Sequence, residues 1–317
     1  MNTHTTRRLL AVAVVIPVLL ALGCTSSPTA APAAATDTSY PVVIHAANGK
    51  VTITHRPTAI VSLTATGTEM LYAIGAGSQV KAVDKDSDYP AGAPMTSLDG
   101  NSPNVEAIVN YTPDLVVVSE DPAGFQQQLN ALGIPVLEDP AASTLAQSYQ
   151  QYVQLGQATG HPAGAQTEVA HVKAQIAQVV AATPKLTSPE SYYYELDQTY
   201  FTATSSTFIG NVFSLLGLKN IADTSADATS SGGYPQLNAE YILKANPTYI
   251  FLADTICCAQ NAATLAARPG WSTLSAVTNH RIVLLNDDIA SRWGPRVVTL
   301  LKDVATTVEA QRRAPAT

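Results

Sequence analysis

Acidic side chains recur immediately after apolar runs in this chain. Asp84, Asp86 and Asp88 follow Val80–Val83, Glu120 and Asp121 follow Leu115–Val118, and Glu138 and Asp139 follow Ile134–Leu137. In a second series Glu195 and Asp197, then Asp254, then Asp287 and Asp288 stand in the same relation to apolar runs. Lys85 and Arg292 are the few bases nearby, and Tyr89, Phe125, Tyr200, Phe201, Tyr234 and Trp293 gather at the same places. If the runs are strands of open α/β sheets, these positions border a ligand crevice, because such sheets bind ligands beyond the carboxyl ends of their strands. Part of the acids then serve only to cap the helices that follow. The aromatics suit the wall of a bulky, partly apolar ligand. Asp86, Tyr89, Glu195, Tyr234, Asp288, Arg292 and Trp293 are the candidate ligand contacts.

The motifs of catalysis are missing. There is no G-x-S-x-G elbow, no G-x-x-x-x-G-K-[ST] loop and no H-E-x-x-H pair. Gly75-Ala76-Gly77 is half of a dinucleotide fingerprint, and it follows a helical stretch rather than a strand. His45, His55, His161, His171 and His280 do not converge after strand runs, so a site for a bare zinc or manganese ion is disfavoured. Cys257 and Cys258 follow the run Tyr249–Leu252. Neighbouring Cα atoms lie ~3.8 Å apart, below the roughly 4.4–6.8 Å usual for a disulfide. The pair reads either as a strained vicinal disulfide, allowed in an oxidising compartment, or as two buried or reduced thiols.

The elements that must position these residues are legible. Val42-Val43-Ile44 and Val51-Thr52-Ile53 flank Asn48-Gly49, the signature of a β-hairpin with a type I′ turn. Strands are expected at Ala59–Leu63, Val80–Val83, Leu115–Val118 and Ile134–Leu137, then at Tyr192–Leu196, Tyr249–Leu252 and Arg281–Leu285. Near-continuous apolar strands alternating with helices mean parallel sheets covered on both faces. Between the two series, Val169, Val172, Ile176, Val179 and Val180 recur at helical spacing over 161–184, with Pro162 in the first turn and Pro184 at the end. At ~1.5 Å per residue this helix spans a small domain and can act as a spine between two lobes.

An internal repeat supports two lobes. Asn104-Val105-Glu106-Ala107-Ile108-Val109 leads to Pro113-Asp114-Leu115-Val116, and Asn238-Ala239-Glu240-Tyr241-Ile242-Leu243 leads to Pro247-Thr248-Tyr249-Ile250. Each copy is a short helix, a proline stop and a strand. The fold class is therefore α/β, two Rossmann-like βα lobes (42–160 and 185–317) joined by one long backbone helix, with the ligand cleft between them.

The start of the chain is an address. Met1–Arg8 is short and basic, Leu9–Leu22 is apolar, and Gly23-Cys24 follows, matching a signal peptide over 1–23. The run is short of the ~20 residues of a bilayer-spanning helix. Leu20-Ala21-Leu22-Gly23-Cys24 resembles a lipobox, with Ala21 where leucine is usual, and implies acylation of Cys24. Residues 24–41, rich in Ser, Thr, Ala and Pro, read as a flexible tether. The formal net charge is −7 at 13% charged residues, which excludes the basic footprint of a nucleic-acid binder; 46% hydrophobic residues exclude a mainly disordered chain.

Several motifs, in order, carry a resemblance: Ile60-Val61-Ser62-Leu63, Thr68-Glu69, Ser87-Asp88-Tyr89-Pro90, Glu106 with Pro113-Asp114-Leu115-Val116, Tyr234-Pro235-Gln236-Leu237 with Glu240, and Gly294-Pro295-Arg296. The chain resembles the substrate-binding lipoproteins of ABC importers for iron-siderophores and cobalamin, the helical-backbone class, from about Val42 to Arg312. The resemblance implies a non-enzymatic, monomeric receptor on the outer face of the cytoplasmic membrane. It would hold a metal chelate between its lobes without a cofactor of its own and deliver it to an ABC permease with its ATPase. It also implies that Glu106 and Glu240 dock on permease arginines. Tyr234, Asp288 and Arg292 match contacts of the cobalamin-binding members, whereas Asp86, Gly100 and Ser119 stand where those members carry aromatics. That departure and an acidic cleft favour a neutral or cationic ferric hydroxamate, or a corrinoid held differently. The alternative from another class is an extracytoplasmic sensor or adhesion module on the same fold.

Overall fold

A computed structural model describes residues 40–185 and 190–313; Cys24, the leader expected over 1–23 and nearly all of the tether expected over 24–41 lie outside them. The described elements are β1 (Val42–Ala46), β2 (Gly49–Ile53), β3 (Ile60–Ser62), α1 (Ala65–Ala73), β4 (Val80–Val83), α2 (Val105–Val109), β5 (Leu115–Val118), α3 (Phe125–Ala131), β6 (Val136–Glu138), α4 (Leu145–Thr159) and α5 (Pro162–Ala182). They continue with β7 (Ser191–Glu195), α6 (Phe208–Ser214), β8 (Lys219–Asn220), α7 (Ala239–Ala245), β9 (Tyr249–Leu252), α8 (Ala262–Ala266), α9 (Ser275–Thr278), β10 (Ile282–Leu284), α10 (Asp287–Ala290) and α11 (Val297–Arg313).

Two parallel four-stranded sheets result, ordered β4-β3-β5-β6 and β8-β7-β9-β10. Numbered within each lobe, both orders are 2-1-3-4, so the sequence repeat is a repeat of topology. Successive strand residues point to opposite faces, and both faces are covered. In the first lobe Ile60, Leu115, Val117 and Leu137 enter one core, while Val61, Val116, Val118 and Val136 enter the other. In the second, Tyr192, Tyr194, Tyr249 and Phe251 face one way and Tyr193, Ile250 and Leu252 the other.

Helix α5 serves both cores: Ala165 and Val169 pack on the first lobe, Val172, Ile176, Val179 and Val180 on the second. It is not alone. Helix α4 runs beside it, with Tyr152, Leu155 and Ala158 in the first core and Leu145 and Tyr149 against the second. The α4–α5 contact is close, since a Cβ on Gly156 would lie 2.5 Å from the Ala165 Cβ, and α5 also approaches the end of α1, where a Cβ on Gly164 would lie 2.1 Å from the Ile74 carbonyl oxygen. Helix α5 is thus the connection between the lobes, and α4 packs beside it.

Two local expectations shift. The hairpin turn is Ala47-Asn48, since Ala46 pairs with Gly49, and of these residues only Gly49 has a positive φ (100°), so the turn is not type I′. Asn48 is occupied elsewhere: its amide donates to the Val136 carbonyl (2.8 Å) and accepts from the Glu138 N–H (3.4 Å), covering the open edge of β6. Strand β8, two residues long, completes the second sheet and lies outside the expected strands.

Candidate functional site

In each lobe the strand order reverses about its first strand, between β3 and β5 and between β7 and β9. These switch points are where an open α/β sheet opens a crevice. At the first, a cavity of about 190 Å³ is lined by Leu63, Thr64, Ala65 and Thr66 after β3, Asp84 and Asp86 after β4, Gly100, Asn101, and Ser119 after β5. Its opposite wall is Ser291, Arg292 and Trp293, which belong to the second lobe. The cleft therefore has contributions from both lobes.

Gly100 stands there because nothing larger fits: a Cβ would lie 2.3 Å from the Leu63 carbonyl oxygen and 2.9 Å from Asp84 Oδ2. Asp84 is buried and accepts from Ser87, whose Oγ also accepts from Thr68 at 3.0 Å. Burial pushes the Asp84 carboxyl up; the Ser87 hydrogen bond opposes this and Asp86 adds to it. Asp86 itself is exposed on the cavity wall.

Arg292, a candidate ligand contact, lines the cavity with its donors engaged within the protein. The residue is buried, and it donates from Nη1 to Glu69 (3.0 Å) and Asp88 (3.0 Å) and from Nη2 to the Asp86 carbonyl (2.9 Å) and Asp288 (2.8 Å). Burial works against its charge, but Glu69, Asp88 and Asp288 outweigh it and raise the pKa. Arg296 adds Nη2 and Nε bonds to Glu69 at 2.6 and 3.1 Å and stacks over the Tyr89 ring at 4.5 Å. Glu69 on α1 is thus clasped by two arginines of the other lobe. Asp288, expected as a ligand contact, is likewise held by Arg292, and Trp293 donates Nε1–H to Gln151 (2.7 Å) while packing on both lobes' cores.

Glu195 is the clearest departure. It is fully buried, and Arg268 donates to both of its oxygens at 2.6 Å, so it faces no ligand. Arg268 also lies 4.7 Å over Trp271. Tyr89 and Tyr234 remain partly open to solvent, 44% and 39% exposed, on loops after β4 and β8. Lys85 pairs with Asp99 at 2.6 Å. Glu106 and Glu240 are exposed in the first turns of α2 and α7, where Asn104 and Asn238 already cap the helices. Each of these helices leads into a strand, so its N-terminus lies on the carboxyl-end side of its sheet, the side of the cleft. Cys257 and Cys258 are joined by a disulfide on the loop after β9.

The residues that sequence reasoning did not single out as a site are Glu69, Arg296 and Arg268. A signal existed for the first: an uncompensated acid beside the apolar Met70-Leu71 must be partnered when buried. Among the described residues no cluster of three or more His, Cys, Asp or Glu is arranged to hold a metal ion.

Two further carboxyls carry a pH prediction. Burial raises Asp139 from 3.8 to about 8, and burial together with Glu195 raises Asp254 to about 7. Each then holds its proton more tightly in the folded chain, so stability falls as pH rises from about 4 to the folded value and then levels, by at most about 1.4 kcal/mol per unit per group. Thermal midpoints measured from pH 4 to 9 should decline over this range. Asp139→Asn and Asp254→Asn should flatten the decline; a profile unchanged by both would show that neither group holds a raised pKa.

Comparison with known proteins adds the following. Residues 60–289 match the family model described as periplasmic binding protein. YvrC of Bacillus subtilis, an uncharacterized ABC transporter substrate-binding lipoprotein, is 30% identical over 279 residues, covering 85% of this chain and 86% of the relative. A cobalamin-binding protein of Halobacterium salinarum is 28% identical, covering 82% and 72%. Among solved structures, a possible iron-binding periplasmic solute-binding protein from Staphylococcus epidermidis superposes with a TM-score of 0.70 at 25% identity, covering 80% of this chain and 99% of that one. The vitamin B12-binding protein BtuF of Vibrio cholerae superposes with a TM-score of 0.65 at 25% identity, covering 81% and 98%.

Proposed function

Since the chain belongs to the periplasmic binding protein family, a family of importer binding proteins rather than enzymes, we propose that it captures a metal chelate outside the cytoplasmic membrane and hands it to an ABC permease. The chelate is a corrinoid or a ferric hydroxamate, uncharged or cationic overall. The observation that carries this reading is the cavity at the first switch point, walled by Arg292 and Trp293 of the other lobe and by the exposed Asp86. The arginine charge is spent on acids of the protein, so an anionic chelate would meet Asp86 without a compensating donor set.

Tryptophan fluorescence tests it. The chain has two tryptophans; Trp271 is fully buried in the second lobe, and Trp293 lines the cavity. Cyanocobalamin or a ferric hydroxamate should change the emission saturably, and Trp293→Phe should remove most of the change. No saturable response to either class would overturn the reading.

The lipoprotein reading rests on the apolar run that ends at Cys24 and on the relative YvrC, which carries that description. Cys24→Ala should move the protein from the membrane fraction to the soluble extracytoplasmic fraction. A mutant that still sediments with membranes as the wild type does would end that reading.

A further inference from the structure

The loop after β9 presents Ile256, 61% exposed, followed by exposed Cys257 and Cys258 in their disulfide. Its two ends are tied to polar groups of the fold. The Asp287 carboxylate accepts from the backbone N–H of Thr255 (2.8 Å), Ile256 (2.9 Å) and Cys257 (2.8 Å) and from the Thr255 hydroxyl (2.9 Å). At the other end Gln260 donates its N–H to the Asp254 carbonyl (3.2 Å), and its side-chain oxygen accepts from Arg268 (2.9 Å), the partner of buried Glu195. An apolar tip is therefore held in solvent by polar anchors that leave it no freedom to turn inward.

Its place gives the tip a use. The loop leaves the carboxyl end of β9 beside β7, the switch point of the second lobe, where ligands of open sheets lie. Helix α10 links it to the cleft: Asp287 holds the loop, and Asp288, the next residue, holds Arg292 on the cavity wall. We propose that Ile256 and the Cys257–Cys258 disulfide form a pre-set apolar plate that packs against an uncharged, apolar face of the captured chelate. The inference rests on the capture reading above and adds the chemistry of one ligand face. The disulfide side chains bring polarisable sulfur and neither charge nor hydrogen-bond donor. Because the loop is already ordered, contact with it costs little conformational entropy, which is how a small apolar patch becomes a strong anchor. A charged ligand group at this spot would meet no donor on these side chains.

The test uses the full chain with cyanocobalamin and ferrioxamine B as probes, titrated by fluorescence and calorimetry. With whichever probe binds the wild type, Ile256→Asp and the double variant Cys257→Ser with Cys258→Ser should each weaken binding at least about tenfold. Saturating probe should also slow reduction of the disulfide by a water-soluble phosphine, followed by mass after alkylation. Ile256→Asp guards against a folding artefact, since a solvent-exposed substitution leaves the thermal midpoint nearly unchanged. Dissociation constants within twofold of wild type in both variants, with a disulfide no better shielded by the probe, overturn the plate and leave the capture reading standing. A wild type that binds neither probe overturns the capture reading itself, and the plate with it.

Discussion

Glu69→Ala is expected to cost about 3–5 kcal/mol of stability, the loss typical when one partner of a buried ion pair is removed. The Glu69 side chain has no solvent exposure, and those of Arg292 and Arg296 are 9% and 16% exposed. Without the carboxylate, Arg292 keeps Asp88 and Asp288, but Arg296 keeps only the Tyr89 ring among the interactions described above. The uncompensated guanidinium, rather than the lost attraction, accounts for most of the cost. Replacing Glu69, Arg292 and Arg296 together by methionine should cost far less, because a well-packed apolar triad leaves no buried charge. Urea unfolding measures both: the midpoint falls with an unchanged m-value in the single variant. A single-variant loss below about 1 kcal/mol would place the cluster with solvated surface pairs and end its role as the latch between lobes.

The second large effect concerns delivery. Glu106→Arg combined with Glu240→Arg should abolish uptake of the chelate while leaving its dissociation constant in solution within twofold of wild type. The two glutamates occupy equivalent places in the repeated lobes, and both are exposed on the cleft side. Asn104 and Asn238 accept from the N–H groups of Ala107 and Tyr241, so capping does not require the glutamates. Their dipole contribution is typically 0.3–1 kcal/mol each, whereas close charge pairs across an interface couple by about 1.5–7 kcal/mol. A permease that presents paired cations would therefore register the reversal strongly. Transport at the wild-type rate with both charges reversed sinks the docking role, and a weakened dissociation constant would assign these residues to the fold or the cleft instead.

The expectation of an acidic cleft changes once partners are known. Asp88 and Asp288 neutralise Arg292, Glu195 neutralises Arg268, and Asp287 is spent on backbone N–H groups. What remains toward the cavity is mainly Asp86, with Asp84 buried behind it. The field of carboxylates expected along the cleft is thus largely neutralised within the protein.

By itself the sequence determined what depends on neighbours along the chain. Apolar runs such as Leu115–Val118 and Tyr249–Leu252, alternating with helices, suit covered parallel strands, and the Asn-x-Glu repeat carried the equivalence of the lobes that the two 2-1-3-4 sheets share. The spacing of Val172 and Ile176 marked α5, and the position of acids after strands marked which end of each sheet forms the crevice. Tertiary structure decided what each of those acids does. Glu69 meets Arg292 across 223 residues, Glu195 meets Arg268 across 73, and Asn48 leaves its turn to cover β6 across 88. A carboxylate at a strand end is a ligand group, a helix cap or half of a buried ion pair according to what the rest of the fold brings within about 3 Å of it. Desolvation makes that choice energetically decisive, and no local pattern records it.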